Sequence, residues 1–117
     1  MIVRVSCYKG FNTGVMLFDL EKARKSEEFN YRLTENGYKS LFEKYEIVSE
    51  LGDQDFFTLL GAEHPNLFYV LDCSLNRQMD PSFFSDRLFD KYHGCDTEIK
   101  IYHSNGRSEI PSAGIDL

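Results

Sequence analysis

The apolar residues of this chain come in short bursts, and each burst is bounded by a polar or glycine-bearing segment. Val15-Met16-Leu17-Phe18 ends at Asp19. Phe56-Phe57-Thr58-Leu59-Leu60 follows Gly52-Asp53-Gln54-Asp55, and Leu67 to Leu71 follows Pro65. Glu98-Ile99-Lys100-Ile101-Tyr102 alternates in polarity and runs into His103-Ser104-Asn105-Gly106. Bursts this short suit buried strands and the apolar faces of short helices. They fall well below the roughly 18 apolar residues needed to span a bilayer as a helix. The chain has 117 residues, which supports one domain of ordinary size. Hydrophobic residues make up 42%, including ten Phe and seven Tyr, so the material for a packed core is present. Asp and Glu outnumber Lys and Arg by 19 to 13, which argues against a nucleic-acid partner, since such binding runs on excess basic charge. The first residues, Met1 to Cys7, lack the long apolar region of a signal peptide.

The pattern predicts strands at Met1–Ser6, Val15–Phe18, Leu67–Leu71 and Glu98–Tyr102. It predicts helices at Glu21–Phe29, capped by Asp19, at Tyr38–Tyr45, at Phe56–Leu60 and at Phe83–Tyr92. Asn36-Gly37 reads as an interruption ahead of the second helix, and the tail after Arg107 reads as loose. Strands interleaved with helices place the chain in the α/β class.

Three segments carry residues suited to chemistry. Gly52-Asp53-Gln54-Asp55 precedes an apolar helical run. Asp53 there reads as an N-cap and Asp55 as a complement to the helix dipole. The same carboxylates and amide suit hydrogen bonding to several sugar hydroxyls. His103-Ser104-Asn105-Gly106 follows a strand, where α/β folds place ligands. An imidazole there suits metal ligation, and Asn105 with Gly106 suits phosphate oxygens. Gly10-Phe11-Asn12-Thr13-Gly14 puts an Asn between glycines ahead of an apolar run. Each segment reads equally as an ordinary turn. His64 and His93 lack such a context. No GxSxG elbow, HExxH or Walker motif is present, and nothing positions a Cys-His nucleophile pair. The three cysteines, Cys7, Cys73 and Cys95, form no CxxC pair, which disfavours a zinc ribbon. Cys73 and Cys95 suit a disulfide in an oxidising compartment and reduced thiols in a reducing one.

Taken in order, these segments resemble glycosyltransferase family 8. Its members show an Asn-containing loop before a Gly-Val-Met-Leu-type run, here Phe11 to Leu17. They then show a Gly-Asp-Gln-Asp loop, here Leu51 to Asp55, and a His-Gly-Asn element, here His103-Ser104-Asn105. Leu51 to Thr58, Glu63-His64-Pro65, Val70-Leu71-Asp72-Cys73, Asn76-Arg77-Gln78 and Ile99 to His103 are similar to the family's xylosyltransferase branch. The resemblance covers residues 10–111, with a divergent segment at 1–9 and a tail at 112–117.

The resemblance implies the C-terminal part of a GT-A type nucleotide-sugar transferase fold. It implies retaining transfer of xylose from a UDP-xylose donor to xylose-glucose O-glycans on EGF-like repeats of Notch-type proteins. It further implies a manganese cofactor and a lumenal place at the endoplasmic reticulum membrane. By motif position, His103 is a metal ligand, and Asp53 and Gln54 are the catalytic-centre residues. Asn12, Gly14, Leu51, Asp53, Gln54, Asn105 and Gly106 line the donor pocket. A lumenal setting favours a Cys73–Cys95 disulfide. Ser104 stands where the family has Gly, and Leu75 where it has Trp. The family's Asp-x-Asp motif supplies further metal ligands, and the sole Asp-x-Asp here, Asp53-Gln54-Asp55, occupies another slot. The expectation is therefore a partial chain without the N-terminal nucleotide-binding half or the membrane anchor, inactive by itself. Its apolar surface would be left partly uncovered. The alternative is a non-catalytic pseudoenzyme or interaction module.

Overall fold

The computed structural model describes residues 10–48, 50–80, 89, 93–106 and 108–109. The chain divides into two compact units, Met1–Tyr69 and Val70–Leu117. The predicted strand at Met1–Ser6 lies outside the described residues. So does the helix predicted at Phe83–Tyr92, except for Phe89, which is helical, as is His93 after it.

The first unit is helical among its described residues. Asp19 accepts a hydrogen bond from Lys22 N at 3.0 Å and so caps α1 (Leu20–Lys25). The same backbone N–H holds the Asp19 carboxyl below its usual range. The single helix expected over Glu21–Phe29 is instead two. Ser26, in an extended conformation, ends α1, and its Oγ accepts from Phe29 N at 3.2 Å to start α2 (Glu27–Arg32). A serine hydroxyl competes with the helix for backbone donors, which favours a cap over helix continuation. Asn30 Nδ2 donates to the carbonyls of Ala23, Arg24 and Ser26 at 3.1, 3.1 and 2.7 Å, satisfying the end of α1.

α3 (Glu35–Tyr45) begins three residues earlier than the sequence suggests and contains Asn36-Gly37. Thr34 caps it through Gly37 N at 3.1 Å. Gly37 is buried, and a Cβ there would lie 2.0 Å from the Tyr31 carbonyl oxygen. The glycine therefore permits close packing of α3 on the end of α2, and the turn signal it sends in sequence is misleading. Glu46, at φ 53°, closes α3 in the left-handed region, and Ile47 N donates back to Phe42 O at 3.3 Å.

α4 (Asp53–Glu63) starts from Gly52, whose φ of 63° suits a residue without Cβ. The expected Asp53 N-cap does not form, because Gly52 takes the cap position and Asp53 the first helical one. Asp55 instead reaches back, accepting from Glu50 N and Leu51 N at 2.9 and 2.8 Å. Its negative charge also complements the helix N-terminus. Phe56, Leu59 and Leu60 of α4 meet Leu41 and Phe42 of α3 to form the buried core, with Phe29, Tyr45, Phe57, Leu67 and Phe68 packed around it. Glu63, at the end of α4, accepts from Arg32 at 2.5 Å and from Lys44, so one nearly buried carboxylate links three helices.

Val15–Phe18 and Leu67–Leu71 are not strands. Pro65 opens a 3-10 turn over Pro65–Leu67, which consumes Leu67 and leaves Phe68 to stack on Phe11 with ring centres 4.7 Å apart. Leu17, Tyr69 and Val70 are 86%, 88% and 76% exposed, so neither apolar run is buried along its length. A short apolar run identifies a hydrophobic segment but not its ladder partner, and here none forms among the described residues.

The second unit is built on a small parallel pair, β1 (Arg77–Gln78) and β2 (Tyr102–His103), in the register Arg77 with Tyr102 and Gln78 with His103. The strand expected over Glu98–Tyr102 is thus shorter and displaced, and His103 lies within it. The cause is upstream. The Ser74 carbonyl accepts from both Lys100 N and Ile101 N, at 2.8 and 3.0 Å. Those two residues therefore pair with a 3-10 turn, Cys73–Leu75, and the regular ladder begins only afterwards. Asp72 starts that turn. Its Oδ1 accepts from Ser74 Oγ and Ser74 N at 2.5 and 3.0 Å, bonds that hold its carboxyl below the usual range. Cys73 and Cys95 are joined as a disulfide with Cα atoms 5.6 Å apart.

Candidate functional site

The residues singled out in sequence fall into two clusters, one in each unit. In the first, the loop before α1 is fastened to α4. Phe11 N donates to Thr58 Oγ1 at 3.0 Å, and a Cβ on Gly10, whose φ is 42°, would stand 3.3 Å from that same hydroxyl oxygen. The fastening brings Asn12 to Gln54 across 42 residues of sequence, with Asn12 Nδ2 donating to Gln54 Oε1 at 3.4 Å. Asn12 Oδ1 also accepts from Gly14 N at 3.0 Å, closing the loop on itself. Gln54 thus directs its carbonyl oxygen at Asn12 and keeps its NH2 group for another acceptor. Asp53, beside it at the start of α4, is an exposed carboxylate, and Leu51 is exposed with its amide bonded to Asp55. Together these present an amide donor and a carboxylate acceptor at a helix start. That combination suits a polyhydroxyl ligand.

The second cluster surrounds the ends of β1 and β2. His103 Nδ1 lies 3.1 Å from Asn76 Oδ1. Asn105 Oδ1 accepts from Met79 N and Asp80 N at 2.8 and 3.1 Å, and its Nδ2 approaches Gln78 Oε1 at 3.5 Å. Asn105 therefore ties its own loop to the segment after β1. Gly106, at φ 62°, packs directly on Asp80: a Cβ there would stand 1.7 Å from Asp80 Oδ2. This position requires glycine on both counts. Ser104 Oγ donates to the carbonyl of Ser108, so this hydroxyl is turned into its own loop. His93 is pushed toward its neutral form by burial and by the nearby Arg77 charge.

Several participants carry no obvious signal in sequence. Thr58 sits mid-helix and shows its role only through the distant Phe11. Asp80 is buried beside Gly106, and only the fold brings the two together. Asn76 carries a weak signal, an amide immediately after the Cys73–Leu75 turn.

A manganese site needs several oxygen or nitrogen ligands converging in near-octahedral array. Among the described residues the one convergent grouping of three candidate ligands is Asp72, Cys73 and Cys95, and its two sulfurs are joined to each other. His103 contributes a single nitrogen. The described residues by themselves do not fit a manganese site. No described helix is long and apolar enough to cross a membrane.

Known proteins match this chain in sequence and in fold. It is 45% identical over 106 residues to xyloside xylosyltransferase 1 of Mus musculus, an alignment covering 87% of this chain and 27% of the mouse protein. The Homo sapiens protein of the same name matches at the same 45% identity. Human xylosyl- and glucuronyltransferase LARGE2 is 30% identical over 107 residues, 13% of its length. The crystal structure of mouse xyloside xylosyltransferase 1 in its apo form superposes with a TM-score of 0.74 at 43% identity, covering 86% of this chain and 36% of that one. No family model matches the chain. The chain spans about a quarter of the length of the first two relatives, at 27%. The resemblance read from the residues therefore holds in sequence and in fold: over part of their length, this chain is similar to the xyloside xylosyltransferases.

Proposed function

We propose that this chain forms part of a retaining glycosyltransferase that moves xylose from UDP-xylose to a xylose-glucose O-glycan on EGF-like repeats of Notch-type proteins. The observation that carries the reading is the Asn12–Gln54 pairing at the start of α4, in a chain 45% identical to an enzyme named for xyloside xylosyl transfer. In that reading Gln54 presents its amide to the donor near the anomeric carbon, and Asp53 accepts from sugar hydroxyls. Asn12, Gly14 and Leu51 shape the adjoining wall. By motif position alone, His103, Asn105 and Gly106 are assigned to the diphosphate of the donor.

The reading also includes manganese and a lumenal location at the endoplasmic reticulum membrane. The Cys73–Cys95 disulfide supports an oxidising compartment. Since the described residues supply one imidazole toward a metal, the chain alone is expected to bind manganese weakly and to turn over little or no substrate. That poverty of ligands is what favours the second reading, a non-catalytic derivative of the family acting as an interaction module.

A transfer assay separates the two. UDP-xylose labelled in the sugar is incubated with a xylose-glucose acceptor and manganese. The chain alone is tested first, then a longer protein carrying it within the remaining length of the relatives' fold. Transfer by the longer protein, lost in Gln54→Ala, supports the transferase reading. A longer protein that folds and transfers nothing supports the module. Turnover by the chain alone would overturn the expectation of inactivity.

A further inference from the structure

We propose that Asn76 is a positioning residue for His103, holding its neutral imidazole with the proton on Nδ1 and the lone pair on Nε2. The ring nitrogen Nδ1 faces Asn76 Oδ1 at 3.1 Å, and an amide oxygen can only accept. A neutral imidazole meeting an acceptor at one nitrogen must place its proton there, so the other nitrogen carries the lone pair. A partner of this kind fixes both tautomer and ring orientation.

Asn76 is itself held from two sides. It follows the Cys73–Leu75 turn, which the disulfide, the Asp72 cap and the Ser74 carbonyl's two backbone bonds fasten to the segment before β2. It precedes Arg77, whose N–H donates to Ile101 O at 3.0 Å as the ladder begins. The distance from amide to imidazole is thereby set by the backbone framework around two strands, and the two side chains need not find each other unaided. His103 stands in β2 opposite Gln78, one residue beyond Asn76's neighbour in the register, which brings the two side chains within reach.

The use of the Nε2 lone pair rests on the transferase reading, where this atom would face the donor's diphosphate end. The tautomer does not rest on it. A failed transfer assay leaves the tautomer standing, and a wrong tautomer leaves the transfer reading standing.

The test is a long-range proton–nitrogen NMR correlation on the whole chain, disulfide intact, with 15N-labelled histidine. It is run at alkaline pH, where imidazole is neutral. The expected result is a protonated Nδ1 and an unprotonated Nε2 for His103. Asn76→Asp, which keeps an acceptor oxygen, retains that pattern. Asn76→Ala loses it, with the two nitrogen signals moving toward each other as the proton redistributes. A merely structural Asn76 would alter stability without moving the tautomer. If the alanine variant fails to fold, the unaltered chain and the aspartate variant decide. A proton on Nε2 in the unaltered chain, or an Nδ1–H that persists in a folded Asn76→Ala, overturns the proposal.

Discussion

The two units are held together by different physics. In the first, α3 and α4 close over Leu41, Phe42, Phe56, Leu59 and Leu60, and polar bonds mainly finish helix ends. In the second, each described element is two or three residues long. Its described part is organised around single polar groups that each take more than one donor, and around a covalent link. Asp72 caps a turn, the Ser74 carbonyl takes two N–H donors, Asn105 takes two more, and the disulfide joins Cys73 to Cys95. Apolar burial is non-directional and tolerates approximate geometry, whereas hydrogen bonds require position and direction. The described part of the second unit, built in this way, places side chains such as His103 narrowly. The contrast predicts different responses to the same kind of insult.

The largest effect is expected in the first unit. Leu60 is fully buried at 0% exposure, so Leu60→Ala removes transfer energy and leaves a cavity. The expected cost is about 3–5 kcal/mol, read as a lower midpoint in urea unfolding followed by helical circular dichroism. A loss below about 1 kcal/mol would mean that α3 and α4 do not share one core.

A smaller loss is expected in the second unit, and from a covalent cause. The disulfide closes 22 residues of chain. Cys95→Ser should therefore cost about 3 kcal/mol through the entropy of the unfolded state. The helical signal of the first unit should change little, while the amides near His103 should lose protection from hydrogen exchange. Equal loss in both units would show that they unfold together, and the contrast between them would then describe one cooperative body.

The same contrast explains what could be read from the residues alone. Helices are legible where the residues carry either a side-chain cap or an apolar face. Asp19 capped as expected, and the face carrying Phe56, Leu59 and Leu60 packed as such faces do. The cap at Ser26 and the close packing at Gly37 are not legible locally, because both depend on a neighbour several residues away. The strands expected at Val15–Phe18 and Leu67–Leu71 do not form, and the one at Glu98–Tyr102 is shortened, for a stronger reason. A strand exists only through its partner, and the N–H groups of Lys100 and Ile101 meet the Ser74 carbonyl of a 3-10 turn, so the ladder starts only at the Ile101 carbonyl. In the candidate site, motif order drew attention to Asn12, Gln54 and His103. Thr58, Asp80 and the place of Asn76 come from distances of 47, 26 and 27 residues that no local pattern encodes.

The smallest effect sharpens the comparison most finely, because it asks whether one polar side chain matters to the second unit. The Asp72 carboxyl is held below its usual range first by the Ser74 hydroxyl and then by the Ser74 N–H. A folded-state pKa below the unfolded value means that the ionised form stabilises the fold. That contribution is fully present above the unfolded value, near 3.9, and is lost as pH falls through the lower folded one. Since the group is exposed, the loss is expected to be modest. Acidification below about pH 4 should therefore weaken the Cys73–Leu75 turn, seen as faster exchange of the Ser74 amide. Asp72→Asn keeps an oxygen that can cap but cannot ionise, so it should flatten this particular acid response while leaving the turn formed. Asp19, which caps α1 by the same chemistry, supplies the internal control. Its titration should fray the end of α1 and leave the second unit's exchange unchanged. An acid response at Ser74 that survives Asp72→Asn would place its origin elsewhere and remove the carboxylate from among the groups that hold the turn.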